Sequence, residues 1–132
     1  MVRILIADDS IPVRRMLRAL LEQYTDWQIC GEASDGGEAI QRTLETRPDL
    51  IVLDFQMPVM NGLQAAQEIA RVAPGVPVLL CTAHLSRHLM GEARKAGIQG
   101  AVSKSRGGDI VKGVKALLRR ELFFYQPAEL GT

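Results

Sequence analysis

The stretch Leu50-Ile51-Val52-Leu53-Asp54-Phe55-Gln56-Met57-Pro58-Val59-Met60-Asn61-Gly62 decides the fold of this 132-residue chain. Its first four residues are apolar without alternation, as in a strand buried on both faces, and a carboxylate follows at once. Further apolar runs lie at roughly even spacing on either side: Ile4 to Ala7, Trp27 to Cys30, Val76 to Cys81 and Gly100 to Val102. The segments between them have helical periodicity. Val13, Leu17, Leu20, Leu21 and Tyr24 form one stripe, with Ser10 as its cap and Pro12 in the first turn. A second helix carries Ala39, Ile40 and Leu44 after Ser34-Asp35-Gly36-Gly37 and stops at Pro48. A third carries Leu63, Ala66, Ile69 and Ala70 and ends near Pro74-Gly75. A fourth runs from about Ser86 to Ala96 with Leu89, Met90 and Ala93 inward and Gly97 at its end. The last begins near Asp109 and has Ile110, Val114, Leu117 and Leu118 on one face.

Strands alternating with helices call for right-handed crossovers and a parallel sheet. The expected architecture is α/β: a doubly wound (βα)5 domain, flavodoxin-like, with five parallel strands in the order 2-1-3-4-5. The domain is expected over residues 1–122. Residues 123–132 form a C-terminal tail, of which Phe123-Phe124-Tyr125-Gln126-Pro127 fits no helical pattern.

Composition narrows the class. With 47% hydrophobic residues the chain can fill a core without staples. Sixteen basic against fifteen acidic residues leave a charge of +1, unlike the strongly basic footprint of a nucleic-acid binder. The longest stretch free of Asp, Glu, Lys and Arg, Val72 to Ser86, is short for a membrane span and broken by Pro74, Gly75 and Pro77. Asp8 and Asp9 come too early for a secretory signal, and two cysteines without one suggest a cytoplasmic location.

In open α/β sheets, ligands bind outside the carboxyl ends of the strands. Here those ends carry Asp8-Asp9, Asp54, Thr82 and Ser103-Lys104. Singly, each is ordinarily a cap, a turn former or a solvated charge. Their joint placement at one edge carries the argument. Carboxylates about 4 Å apart repel by roughly 4 kcal/mol at an effective dielectric near 20, so they stay ionised together only around a cation. Hard oxygen ligands suit Mg²⁺ or Ca²⁺, and Mg²⁺ shares its shell readily with a phosphoryl oxygen. A lysine and a threonine facing it complete a cradle for a phosphoryl group.

The Asp8-Asp9-Ser10 run, the DFQMPVMNG run at 54–62, Thr82-Ala83 and Lys104 resemble the receiver domain of bacterial two-component response regulators, over about residues 2 to 120. Phrases such as GEASDGGEAI (31–40) and the Lys104-Ser105 pair are most like the receivers of LuxR-type regulators. The resemblance implies a phosphorylation-dependent switch in which Asp54 accepts a phosphoryl group from a histidine kinase's phosphohistidine or a small acyl phosphate. It implies Mg²⁺ held by Asp9, by Asp8 largely through water, by Asp54 and by the backbone carbonyl of Gln56. It further implies that Thr82 bonds the phosphoryl oxygens, that Lys104 pairs with them, and that autodephosphorylation is slow. The protein would then turn over no external substrate. Its implied partners are a sensor histidine kinase or phosphotransfer protein and a downstream effector. Homodimerisation through helix four, strand five and helix five is also implied.

Departures from the pattern bear on output. The family's aromatic switch residue on strand five is here Ala101, and Ser105 replaces a frequent proline after the lysine. Gln56 and His84 hold positions that in this family tune autodephosphorylation, so His84 is a candidate modulator of the phosphorylated state's lifetime. Pro58 and Gly62 read as turn residues that touch nothing. Cys30 and Cys81, about 14 Å apart on strands two and four, read as unpaired core thiols. Met57 and Met60 read as packing residues. Arg14, Arg15 and Arg18 read as a solvated face, or else as a kinase contact.

An FMN-binding reading fails because Asp8 and Asp9 would repel a bound phosphate. A phosphohydrolase would want an acid where Gln56 stands. Two alternatives remain at this stage: an interaction module that keeps the fold without phosphorylation, and the isolated receiver half of a DNA-binding transcription regulator. The 132 residues themselves hold no recognisable DNA-binding motif.

Overall fold

In the computed structural model, which describes residues 1–124, strands and helices alternate along the chain. The elements are β1 (Val2–Ala7), α1 (Ile11–Glu22), β2 (Trp27–Ala33), α2 (Gly36–Thr46), β3 (Leu50–Leu53), α3 (Gly62–Val72), β4 (Val78–Thr82), α4 (Arg87–Lys95), β5 (Gly100–Ser103), α5 (Gly107–Leu118) and β6 (Phe123–Phe124). The strands pair in parallel in the order β2-β1-β3-β4-β5-β6.

Each strand's side chains alternate between two cores, which is why the runs are apolar throughout. Leu5, Ala7, Ile51, Leu53, Leu80 and Ala101 meet Ala39 of α2, Ala66 and Ile69 of α3, and Met90 and Ala93 of α4. Ile4, Ile6, Leu50, Val52, Leu79, Cys81 and Val102 meet Leu17 and Leu21 of α1 and Ile110, Val114 and Leu117 of α5. The helix starts follow from cap chemistry. Ser10, Asp35, Asn61 and Ser86 each accept the amide three residues on, and Gln64 returns the bond to Asn61 as a capping box. Ala70 is exposed, so the inward stripe of α3 is narrower than its periodicity suggests.

Two strands differ from expectation. β2 runs on to Ala33 through a register shift: Ile4 pairs with Ile29 but Leu5 with Gly31, leaving Cys30 as the inserted residue. At the sheet's edge this bulge leaves Cys30 half-buried, whereas Cys81 is fully buried and its thiol is pushed up to about 12 by burial. The second difference is a sixth strand. β5 is not the edge, because Phe123 and Phe124 pair with Gly100 and Ala101. Tyr125, Gln126 and Pro127 of the expected tail lie outside the described residues. Among the described residues no helix is long and apolar enough to cross a membrane, and all peptide bonds are trans, including that between Lys104 and Ser105.

Candidate functional site

The sheet's hydrogen-bond ladder continues one rung past the apolar runs, and that rung carries the site. The amide of Asp54 donates to the Ala7 carbonyl at 2.9 Å, that of Asp8 to Ala33 at 2.9 Å, and that of Lys104 to Thr82 at 2.9 Å. Because Ala7 pairs with Leu53 and Thr82 with Ser103, Asp8, Asp54, Thr82 and Lys104 emerge side by side. All the expected acids meet: carboxylate oxygens of Asp8, Asp9 and Asp54 lie within 4.8 Å of one another. Asp8, Asp54 and Thr82 are 1%, 4% and 3% exposed, while Asp9 faces solvent.

Lys104 bridges the two buried acids. Its Nζ stands 2.7 Å from Asp8 Oδ2 and 3.1 Å from Asp54 Oδ1. Burial works against its charge, but the hydrogen bonds to Asp8 and Asp54 prevail and hold its pKa above the ordinary lysine value. Asp54 moves the other way from a typical ion-paired acid. Burial first, and then the charge of Asp8, push its carboxyl above the usual range against the pull of Lys104. One ammonium among three carboxylates leaves the cluster net negative. That donor set, hard, oxygen-only and partly open at Asp9, fits a small divalent cation.

The surroundings fix these groups. Asp8 Oδ1 accepts the Ser10 amide at 2.9 Å, and the Asp8 carbonyl accepts Nη1 of Arg14 at 2.7 Å. Arg14 and Arg18 are not a free face: both hold Glu32 on β2, at 2.9 and 2.7 Å, and Arg15 alone of the three is exposed. Burial would raise the Glu32 carboxyl, but hydrogen bonds from Arg18 and Arg14 hold it below the usual range. Sequence separation hid this link, since the apolar run reads as ending at Cys30, before Glu32.

Gly62 also differs from its reading as a bystander. A Cβ there would lie 2.3 Å from the Asp54 carbonyl oxygen, and the Gly62 amide donates to Phe55 at 2.7 Å. The loop between β3 and α3 can therefore close only over glycine. Met57 and Met60 pack on the core, as expected. Gln56, exposed, lines an open depression beside the acids with Asp9, Phe55, Met57, Pro58 and Asn61. His84 is exposed, and its amide donates to the Thr82 hydroxyl at 3.4 Å. Ala101 is fully buried in the core that Phe124 packs against.

Known proteins resemble this chain in sequence and fold. The family described as the response regulator receiver domain matches residues 4–115. The chain is 34% identical to the chemotaxis protein CheY of Thermotoga maritima, over 77% of this chain and 84% of that protein. It is 39% identical to a protein-glutamate methylesterase/protein-glutamine glutaminase of Caldanaerobacter subterraneus subsp. tengcongensis, over 88% of this chain but 32% of that protein. The uncharacterised transcriptional regulatory protein YxjL of Bacillus subtilis is 31% identical over 93% of this chain and 57% of its own length. The chain thus spans most of CheY but only a part of the longer relatives. Among solved structures, a LuxR-family two-component response regulator from Aurantimonas sp. SI85-9A1 superposes with a TM-score of 0.89 at 31% identity, covering 92% of this chain and 88% of that one. By sequence and fold, this chain belongs to the response regulator receiver domain family.

Proposed function

We propose that the protein is a phosphorylation-dependent switch of a two-component system, with Asp54 as the phosphoacceptor. The observation that supports this most is the Lys104 bridge between the buried Asp8 and Asp54, set beside Asp9 and Thr82. An oxygen of Asp54 attacks phosphorus in line. The P–O bond forms as the P–N bond to the kinase's histidine breaks, and that electron pair stays on the imidazole nitrogen. With an acyl phosphate the P–O bond to the acyl group breaks instead and the carboxylate leaves. Positioning and charge neutralisation do nearly all the work in such transfers.

Asp8, Asp9, Asp54 and the Gln56 carbonyl are the residues that would hold Mg²⁺, which when bound supplies the positive charge that offsets the incoming phosphoryl oxygens. Lys104 exchanges its bond to Asp54 for one to the phosphoryl group, and the Thr82 hydroxyl donates to it. Water attacking phosphorus reverses the state slowly, with the exposed His84 and Gln56 governing its approach. On this reading the protein acts in the cytoplasm, takes its phosphoryl group from a histidine kinase or phosphotransfer protein, and modifies only itself. The 57% span of YxjL favours a second reading, in which such a receiver controls the rest of a longer transcription regulator.

Intact mass after incubation with acetyl phosphate tests the proposal. A gain of one phosphoryl group that needs Mg²⁺ and is absent in Asp54→Asn is expected. A folded protein that gains no mass would refute it.

A further inference from the structure

We infer that β6 is a latch on the β5 edge whose docking is coupled to the acceptor site, loosening when Asp54 carries a phosphoryl group. This rests on the function proposed above. Two of the chain's three phenylalanines stand in this two-residue strand. The surface beneath is cut to receive them. A Cβ on Gly100 would lie 2.8 Å from the Phe123 carbonyl oxygen, and one on Gly113 of α5 would lie 3.3 Å from the Phe123 ring. Ala101, whose Cα partners that of Phe124, is fully buried. Three small residues on two elements therefore make room for this segment.

The latch is held from three sides. The Phe123 amide donates to the Gln99 carbonyl at 3.0 Å, on the β5 side. The turn after α5 is pinned by Arg120, which takes a positive φ of 63° and donates to the Gly75 carbonyl at 2.7 Å. From α4, the Arg94 guanidinium stacks 4.4 Å over the Phe124 ring. Both phenylalanines remain half-buried, and two residues of strand are a small cooperative unit, so this segment opens more readily than the sheet behind it.

The coupling runs through α4. That helix follows Thr82 after only the short 83–86 connection, within which the His84 amide bonds the Thr82 hydroxyl. β5 itself ends beside Lys104. The docked latch is seen with Lys104 bonded to Asp8 and Asp54. A phosphoryl group takes over the Lys104 bond to Asp54 and recruits the Thr82 hydroxyl, drawing the root of α4 toward the acids. Phe124 lies between α4, which is displaced, and β5, which keeps its ladder, so its seat suits the unloaded arrangement. A ligand shifts an equilibrium only by its differential affinity for the two states, and here that difference is whether Arg94 and β5 can grip Phe124 together.

Hydrogen exchange on the full chain tests this, with beryllium fluoride and Mg²⁺ as the phosphoryl stand-in and acetyl phosphate loading followed by intact mass. The Phe123 amide is expected to exchange about tenfold faster in the loaded protein, within the usual range of coupled sites. Linkage is reciprocal, so Phe124→Ala and, with the packing intact, Arg94→Ala should both bind beryllium fluoride more tightly. Loaded protein with unchanged or slower Phe123 exchange, or variants with unchanged affinity, would overturn the latch while leaving Asp54 as acceptor. Failure to load would remove the proposed function and the latch with it.

Discussion

Replacing Asp54 by Asn should stabilise the metal-free protein, although it deletes half of a buried ion pair. Asp54 faces the buried Asp8 within 4.8 Å, and at an effective dielectric near 20 that acid repels it by about 3.5 kcal/mol, while the exposed Asp9 is screened by solvent. Lys104, at 3.1 Å, returns about 5 kcal/mol on the same scale. These two charges nearly offset one another, and the cost of burying the carboxylate, the largest influence on it, turns the balance unfavourable. Asparagine keeps the shape and an oxygen for Lys104 without the charge. The expected gain is about 1–2 kcal/mol, or roughly 3–10 °C in Tm for a chain of this size, measured by thermal and urea unfolding in EDTA at low salt. The pH dependence has a definite sign. Because the folded state holds the Asp54 proton above its ordinary pKa, Asp54 contributes most favourably at pH values below that ordinary value. The contribution is lost as pH rises through the raised one. The advantage of Asp54→Asn should therefore be small near pH 4 and complete at neutral pH. An Asn variant that is equally or less stable in EDTA at neutral pH would show that the acids are not in mutual repulsion.

Three further outcomes follow from particular contacts. Glu32→Gln should cost about 0.5–1 kcal/mol at neutral pH, a modest figure because the pair is partly exposed. Since the Glu32 carboxyl is held below its usual range, the native contribution is present above that range and lost on acidification. The gap between wild type and variant in urea melts should thus close as pH falls below about 4. Iodoacetamide should label half-buried Cys30 well before Cys81, whose thiol is fully buried and pushed up to about 12; peptide mapping that found equal rates would contradict the bulged edge of β2. Gly62→Ala forces a Cβ to within 2.3 Å of the Asp54 carbonyl, so it should destabilise by at least about 2 kcal/mol and slow phosphorylation. A variant with unchanged Tm would mean that the loop closes differently.

The parts of the fold legible in the sequence are those decided by neighbours along the chain. Leu50 to Leu53 is apolar throughout because both cores receive it, and Ser10, Asp35 and Ser86 announce helices by capping them. Asp8, Asp54, Thr82 and Lys104 could be placed together because a parallel sheet brings its carboxyl ends to one edge and the ladder extends one rung beyond each run. What stayed hidden depends on partners distant in sequence. Two phenylalanines after Leu122 become a strand only because Gly100 and Ala101 leave space beside them. Arg14 and Arg18 read as a solvated face until β2 brings Glu32 under them. Gly62 resembles any turn glycine until its distance from Asp54 is known.

The central claim is that Asp54, and neither of the acids beside it, takes the phosphoryl group. Borohydride reduces an aspartyl phosphate to homoserine and so marks the acceptor permanently. After acetyl phosphate and Mg²⁺ treatment, reduction and digestion, the account predicts homoserine at position 54 and unaltered Asp8 and Asp9. Homoserine at position 8 or 9, or none in protein whose mass has risen by a phosphoryl group, would contradict it.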